Sequence, residues 1–165
     1  MKKTVVVYGS STGTCEDLAG KIAEALGGAE VINVADMTAD TIAENDNLIL
    51  GSSTWGAGEL QDDWYDGVDV LKGADMSGKT VAIFGCGDAE SYGDTFCGAM
   101  AEIYNAAKEA GANIVGAVDA SDYSFSESDA VIDGKFVGLA LDEVNESDKT
   151  PDRIDAWVKE ITPAL

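Results

Sequence analysis

The sequence predicts an α/β fold in three layers, an open sheet of five parallel strands with helices on both faces. Five short apolar runs recur along the 165 residues, and amphipathic helical patterns separate them. Three of the runs are almost uninterrupted, which is typical of strands buried on both faces of a parallel sheet. Ligands bind beyond the carboxyl ends of such strands, so the loops after the first, third and fourth runs are the candidate site.

The predicted strands follow one another at intervals that leave room for helices between them. The nearly continuous apolar segments are "VVVY", "LILG" and "VAIFG", in the first, third and fourth runs. All five strands are expected at residues 4–8, 30–34, 47–51, 80–85 and 113–118.

The predicted helices are marked by apolar side chains that repeat every three or four residues. The first stripe runs from Leu18 through Ile22 to Leu26 and stops at a glycine pair, a typical helix end. A weaker helix is expected over 38–43, and Pro151 is predicted at the first position of the last helix. The other stripes are Leu60, Trp64, Val68 and Leu71; Phe96, Met100, Ile103 and Ala107; and Ile154, Trp157, Val158 and Ile161, the last with Thr150 as N-cap.

One stretch breaks the alternation of strands and helices. Residues 119–147 are polar at first and then apolar again, which predicts an insertion that interrupts or follows the last strand. Partner recognition and a passive surface loop are both open as its role. The chain has no internal repeat or linker, so a single domain over 1–165 is expected.

The charge balance excludes several classes of partner. Thirty-one acidic residues stand against ten basic ones, a formal net charge of -21. Nucleic acids and anionic membrane surfaces both require a positive face, so neither is an expected partner. The acids are dispersed along the chain, which suits either a highly soluble surface or attraction of basic protein partners.

The histidine and cysteine content bears on metal binding and on the cellular compartment of the protein. Histidine, the commonest metal ligand and general base, is absent. Cys15, Cys86 and Cys97 lack metal-ligand spacing, so no metal site is predicted, and their odd number indicates a reducing compartment. The first apolar run is too short for a secretion signal and no segment is long enough to span a bilayer, so a cytoplasmic protein is expected.

The loop after the first strand has the composition of an anion-binding site that contains no basic side chain. Between Ser10 and Cys15, hydroxyl side chains and successive backbone N–H groups meet the positive end of a helix. The loop contains no Lys or Arg, and it matches neither the Walker pattern nor GxGxxG. On these residues alone, a phosphate site and an ordinary helix cap are both open.

Aromatic residues stand in the other two loops. Trp55 lies among small residues after the third strand, and Tyr92 lies on a glycine-bearing loop after the fourth. Trp64 and Trp157, by contrast, lie in helical stripes and are predicted to pack in the core. Two flat apolar faces beside a hydroxyl-rich loop fit a planar heterocycle that carries a phosphate.

Four ordered motifs resemble those of the flavodoxin family, of the long-chain type, over essentially the whole chain. They are "YGSSTGT", "GSSTWGAGEL", "GCGDAESYGDTFCGA", and "DGKFVGLALDE" followed by "TPDRIDAWV". The resemblance implies strand order 2-1-3-4-5 and non-covalently bound flavin mononucleotide (FMN). It also implies low-potential one-electron transfer, chiefly between the semiquinone and the hydroquinone.

The resemblance further implies cofactor contacts, position by position. Trp55 and Tyr92 should stack on the two faces of the flavin. Asp88, Thr95 and Cys97 should approach its pyrimidine edge, chiefly through backbone atoms. The phosphate is expected against Ser10, Ser11, Thr12, Gly13, Thr14 and Cys15. The N5 edge is expected against the backbone of Thr54, Trp55, Gly56, Ala57 and Gly58, and Gly87 and Phe96 complete the set.

Three positions refine this implied site. Cys15 stands where the family's phosphate loop usually ends in Thr, and a thiol is a weaker donor than a hydroxyl. Val144 stands where the family often has an acid near the ribityl chain, so no contact is carried over there. At Gly56, the family turns a carbonyl toward the protonated N5 of the semiquinone, and Gly adopts the required positive φ freely.

These contacts favour an electron carrier over an enzyme, because two aromatic rings leave no room for a stacked nicotinamide. The alternative is an FMN-dependent NAD(P)H or quinone reductase on the same fold. A phospho-receiver domain would need an acid at the end of the third strand, which reads "LILGSST". Expected partners of the monomer are basic-patched redox enzymes in transient complexes: ferredoxin/flavodoxin reductase, oxidoreductases or hydrogenase-type proteins. Surrounding carboxylates are expected to lower the potential of the second reduction step.

Overall fold

A parallel sheet forms the middle layer of the computed structural model, which describes residues 2–9, 13–55, 59–88, 96–123, 125 and 128–165. Its strands run in the order β2 (Glu30–Asn33), β1 (Thr4–Gly9), β3 (Asn47–Trp55) and β5 (Thr80–Cys86), with β6 (Asn113–Val115) and β10 (Leu139–Leu141) both on the far side of β5. This arrangement confirms the predicted order 2-1-3-4-5. A short strand, β4 (Glu59–Leu60), pairs antiparallel with the end of β3.

The fifth strand of the fold is built from two pieces. β6 pairs with residues 80–82 of β5, and β10 pairs with residues 84–86. The insert between them, residues 116–138, includes an antiparallel sheet of β7 (Val118–Asp119), β8 (Val131–Ile132) and β9 (Lys135–Phe136). The insertion thus interrupts the last strand, and its predicted bounds of 119–147 are wrong because residues 139–141 belong to the main sheet. β6 stops before its predicted end because Gly116 has a φ of 87°.

Five α-helices in the described ranges cover the two faces of the sheet: α1 (Thr14–Ala25), α2 (Ala39–Glu44), α3 (Trp64–Lys72), α4 (Ala99–Glu109) and α5 (Thr150–Ile161). α1 and α5 pack on the face that buries Val6, while α2, α3 and α4 pack on the face that buries Val5. Successive residues of β1 therefore face opposite layers, as expected for a strand buried on both sides. Trp64 and Trp157 are buried in these two layers, which confirms their predicted packing role.

Three predicted helix positions differ in the structure. Leu60 lies in β4 instead of α3, and Phe96 lies before α4 instead of within it. Thr150 is the first residue of α5 and not its N-cap, because a 3₁₀ turn (Ser147–Lys149) runs directly into the helix. The Thr150 hydroxyl donates a hydrogen bond to the Glu143 carboxylate instead of capping a main-chain N–H group.

Candidate functional site

The carboxyl ends of the strands meet at one edge of the sheet. Gly9 of β1 lies opposite Ser52 of β3, and Ser52 lies opposite Gly85 of β5. Cys86, the last residue of β5, lies opposite Leu141 of β10. The three loops predicted from sequence therefore leave the sheet side by side. A fourth loop, residues 142–146 between β10 and α5, leaves at the same edge and was not predicted as part of the site.

The first loop ends at the start of α1. Gly13 precedes the helix with φ 90° and ψ -9°, and its carbonyl accepts the N–H of Asp17. The N-cap residue, Gly13, has no side chain that could cap the first turn, and the main-chain N–H groups at the start of a helix are suited to an anion. Thr14 is half-buried and lies in this turn. The predicted phosphate ligands Ser10, Ser11 and Thr12 lie outside the described residues.

The Cys15 side chain faces the core and not the loop. It is fully buried among the side chains that join α1 to the sheet. A hydrogen bond with the Cys86 thiol, together with burial, raises the pKa of Cys15 well above its usual range. Burial likewise raises the pKa of Cys97. Any contact of Cys15 with a phosphate therefore falls to its main-chain N–H group.

The second loop is tied to the start of α4. The Thr54 hydroxyl accepts a hydrogen bond from the main-chain N–H of Ala99, 3.4 Å away. The backbone of Trp55 pairs with Glu59 in the β3–β4 ladder. The side chain of Trp55 and residues 56–58, which include Gly56, Ala57 and Gly58, lie outside the described residues.

Gly87, near the start of the third loop, and Cys97, which follows the loop, lie against each other. A Cβ added to Gly87 would lie 3.0 Å from the main-chain nitrogen of Cys97, so the two backbones are in close contact. Cys97 itself has a φ of 52°, which only a few per cent of non-glycine residues adopt. Asp88 accepts a hydrogen bond from the side-chain amide of Asn145, 2.8 Å away. Residues 89–95, with the predicted contacts Tyr92 and Thr95, lie outside the described residues.

The Phe96 ring is buried beside Gly87, 3.2 Å from where a Cβ on that glycine would lie. It is 1% exposed and packs in an aromatic cluster with Tyr123, Phe125 and Phe136. Its carbonyl accepts a hydrogen bond from the Ser128 hydroxyl. The Phe96 ring therefore packs against residues of the insert, and its predicted contact with the cofactor stays a prediction.

The fourth loop supplies residues that the sequence reasoning missed. Asp142 is fully buried and accepts hydrogen bonds from the main-chain N–H groups of Val144 and Asn145. This turn leaves Val144 exposed and directs the Asn145 amide to Asp88. The available signal was "LALDEVN", an apolar run followed by an Asx turn, at a strand end.

The charges near α1 are acidic. Glu16 and Asp17 lie in its first turn, and its single basic residue, Lys21, pairs with Asp17 at 3.0 Å. Burial and, next, the charge of Glu16 raise the pKa of Tyr8. The described residues contain no group of His, Cys, Asp and Glu that could hold a metal ion. An anion at this edge would be held by neutral donors and the helix end.

Comparison with known proteins identifies the family. A flavodoxin family model matches residues 6–157. The chain belongs to the flavodoxin family. A flavodoxin from Picosynechococcus is 42% identical over 168 residues, covering 100% of this chain and 99% of its own length. Flavodoxin 1 of Azotobacter vinelandii is 41% identical over 164 residues, covering 96% and 94%.

Solved flavodoxins share the backbone arrangement. A Fusobacterium nucleatum flavodoxin bound to flavin mononucleotide superposes with a TM-score of 0.94 at 30% identity, covering 100% of this chain and 99% of the other. The resemblance stated from the four sequence motifs is thus confirmed at the level of family and fold. Within the part of the chain that the structure describes, no helix combines the length and apolar character needed to cross a bilayer.

Proposed function

We propose that this flavodoxin, acting as one domain over 1–165, binds FMN non-covalently and carries electrons one at a time between redox enzymes. Family membership carries this conclusion, supported by the F. nucleatum flavodoxin that is bound to FMN. The protein is an electron carrier and not an enzyme, as the flavodoxins that it matches are. The reductase alternative has no support from these relatives.

The described residues fit the phosphate end of FMN. The start of α1 offers the main-chain N–H groups of a helix end, and the N-cap residue Gly13 adds neither a capping side chain nor a Cβ there. The positive helix end, equivalent to about half an elementary charge, favours a phosphate there. We assign the phosphate to this turn and to Ser10, Ser11 and Thr12 before it.

The remaining edge fits the flavin ring system. The loop that carries Trp55 and Gly56 and the loop that carries Tyr92 leave the sheet beside one another, because the ends of β3 and β5 are in register. Bound FMN would supply reversible electron exchange through its exposed ring edge. In this proposal the aromatic side chains cover the ring faces, and the backbone near Gly87 and Cys97 excludes water from the pyrimidine edge.

The acidic surface defines the partners. A net charge of -21 attracts basic patches and repels other acidic proteins. We propose that the protein is a monomer that docks transiently on basic-patched redox enzymes such as ferredoxin/flavodoxin reductase, other oxidoreductases or hydrogenase-type enzymes. A cytoplasmic location is supported by three cysteines that are all free.

Purification followed by redox titration tests this function. The expected product is yellow and contains one FMN per chain, and it takes up electrons in two separate one-electron steps under anaerobic conditions. Its rate of reduction by a basic-patched reductase should fall as ionic strength rises. A colourless protein that binds no added FMN would refute the proposal, and steady-state NAD(P)H oxidation by the protein alone would favour the reductase alternative.

A further inference from the structure

A cavity of about 160 Å³ opens between α5 and the insert of residues 116–138. Leu139 and Trp157, both buried, line it from the core, and the half-buried Val118 and Tyr123 line it from the insert. An apolar cavity of about 150 Å³ can hold a benzene ring, so this one is large enough for a single leucine or phenylalanine side chain. Leu139 is the first residue of β10, so the cavity lies by the amino end of that strand and not at its carboxyl end.

A second, more polar cavity continues the first toward the start of α5. The two cavities share Arg153 and Ala156, and the second is also lined by Asp148, Lys149 and Asp152. Ala156 is exposed at the point where the two cavities meet. Together they form one groove along α5, which we call the α5 groove.

The two cations that line the α5 groove are already engaged within the protein. Lys149 lies 2.7 Å and Arg153 3.4 Å from the carboxylate of Glu146. The guanidinium carbon of Arg153 also lies 4.0 Å from the centroid of the Tyr123 ring, and the Arg153 side chain is only 9% exposed. Arg153 therefore serves mainly to join α5 to the insert.

The carboxylates that line the α5 groove are less well balanced. Asp119 and Glu160 line the apolar cavity, and Asp148 and Asp152 line the polar one. Asp119 lies opposite Lys135 in the β7–β9 ladder. In the part of the chain that the structure describes, Asp148, Asp152 and Glu160 form no ion pair. The groove thus combines an apolar cavity with a rim of negative charge.

We propose that the α5 groove is a docking surface for a basic segment of a partner protein, which places one large apolar side chain in the cavity and its Lys or Arg side chains against Asp148, Asp152 and Glu160. Charge complementarity favours this occupant over a second copy of the chain, because a net charge of -21 repels an identical molecule. The groove includes none of the predicted cofactor contacts, so the inference goes beyond the proposed function. It favours partner recognition over a passive surface loop as the role of the insert.

Three short synthetic peptides test the proposal against the isotope-labelled, full-length protein. The first carries several lysines and one phenylalanine, the second has serine in place of the phenylalanine, and the third has glutamate in place of the lysines. We expect the first to shift the amide resonances of α5 and of residues 118–123, with an affinity that falls as ionic strength rises. The serine peptide should bind at least about fivefold more weakly, because it leaves the apolar cavity unfilled. The glutamate peptide should not bind.

Asp152→Asn and Glu160→Gln each remove one charge from the groove, and Asp155→Asn is the matched control. Asp155 is exposed on the same helix but lines neither cavity. The two groove variants should bind the lysine peptide about two- to fivefold more weakly, and the control should bind it as the wild type does. Ala156→Lys should weaken binding by about tenfold or more, because it both fills the groove and adds a charge of the same sign as the peptide.

An equal loss in Asp155→Asn and in the two groove variants would overturn the inference, because the peptide would then be attracted by the net charge of the protein and not by the groove. Equal affinities for the phenylalanine and serine peptides would overturn it as well, and so would amide shifts confined to the carboxyl edge of the sheet. Self-association of the wild type that Ala156→Lys abolishes would assign the groove to a second copy of the chain instead.

Discussion

Replacing Gly13 by Ala tests the phosphate end of the proposed site. Gly13 has a φ of 90°, and an added Cβ would meet no described atom within 4 Å. Among the described atoms, the cost is therefore conformational and not steric. A left-handed conformation costs an L-residue about 1–2 kcal/mol, and the loss of unfolded-state freedom returns about 0.4–1 kcal/mol. A net loss of about 0.5–1.5 kcal/mol of unfolding free energy is expected for the apoprotein.

Gly20→Ala provides the control within the same helix. Gly20 is exposed in the interior of α1, and it too has open space among the described atoms. Alanine in a helix interior is better than glycine by about 0.5–1 kcal/mol, so this variant should be more stable than the wild type. Urea denaturation of the two apoproteins should thus give changes of opposite sign.

Flavin titration of the same two proteins separates folding from binding. If Gly13 orients the phosphate-binding turn, Gly13→Ala should bind FMN about fivefold or more weakly, a change of about 1 kcal/mol, and bind riboflavin as the wild type does. Gly20→Ala should bind both normally. Equal losses for FMN and riboflavin in Gly13→Ala, or stability changes of the same sign in both proteins, would refute the reasoning.

Three further outcomes are expected. Gly51→Ala should lose about 2–3 kcal/mol of unfolding free energy in urea, since the new Cβ would lie 2.1 Å from the Phe84 ring, and Phe84→Leu should recover part of it. Glu146→Gln should lose about 0.5–1 kcal/mol of unfolding free energy at pH 7, because Lys149 and Arg153 lower the pKa of Glu146. The difference in stability from the wild type should vanish as the pH falls through that lowered pKa. A difference that stays constant with pH would contradict the assignment. The three cysteines should resist Ellman's reagent in the folded apoprotein and react fully in urea, so a fast-reacting thiol in the folded state would contradict their burial.

The fold was predictable because the central strands of the sheet each have a recognisable apolar sequence pattern. The runs in β1, β3 and β5 are apolar without interruption, since both faces of each strand are covered. The position of the site followed from the rule that parallel strands present their carboxyl ends at one edge. Local patterns of this kind do not depend on which distant residues meet.

The contacts of Asn145 and Ser128 could not be predicted because they join residues far apart in the chain. Asn145 lies 57 residues from Asp88, and Ser128 lies 32 residues from Phe96. Phe96 also continues the apolar spacing of α4, so its stripe gave no sign that the helix begins later. The second half of the fifth strand, three residues long, was too short to separate from the insertion before it.

The register of the divided fifth strand suggests how residues 116–138 could be inserted into the chain or deleted from it. Val115 pairs with Ala82 and Leu139 pairs with Phe84, so only one position, opposite Ile83, separates the two pieces along β5. A single residue in place of 116–138 would therefore restore an unbroken strand without shifting any other pairing. We therefore expect a chain shortened in this way to keep its sheet pairing while exposing the Phe96 ring, which residues of 116–138 now contact.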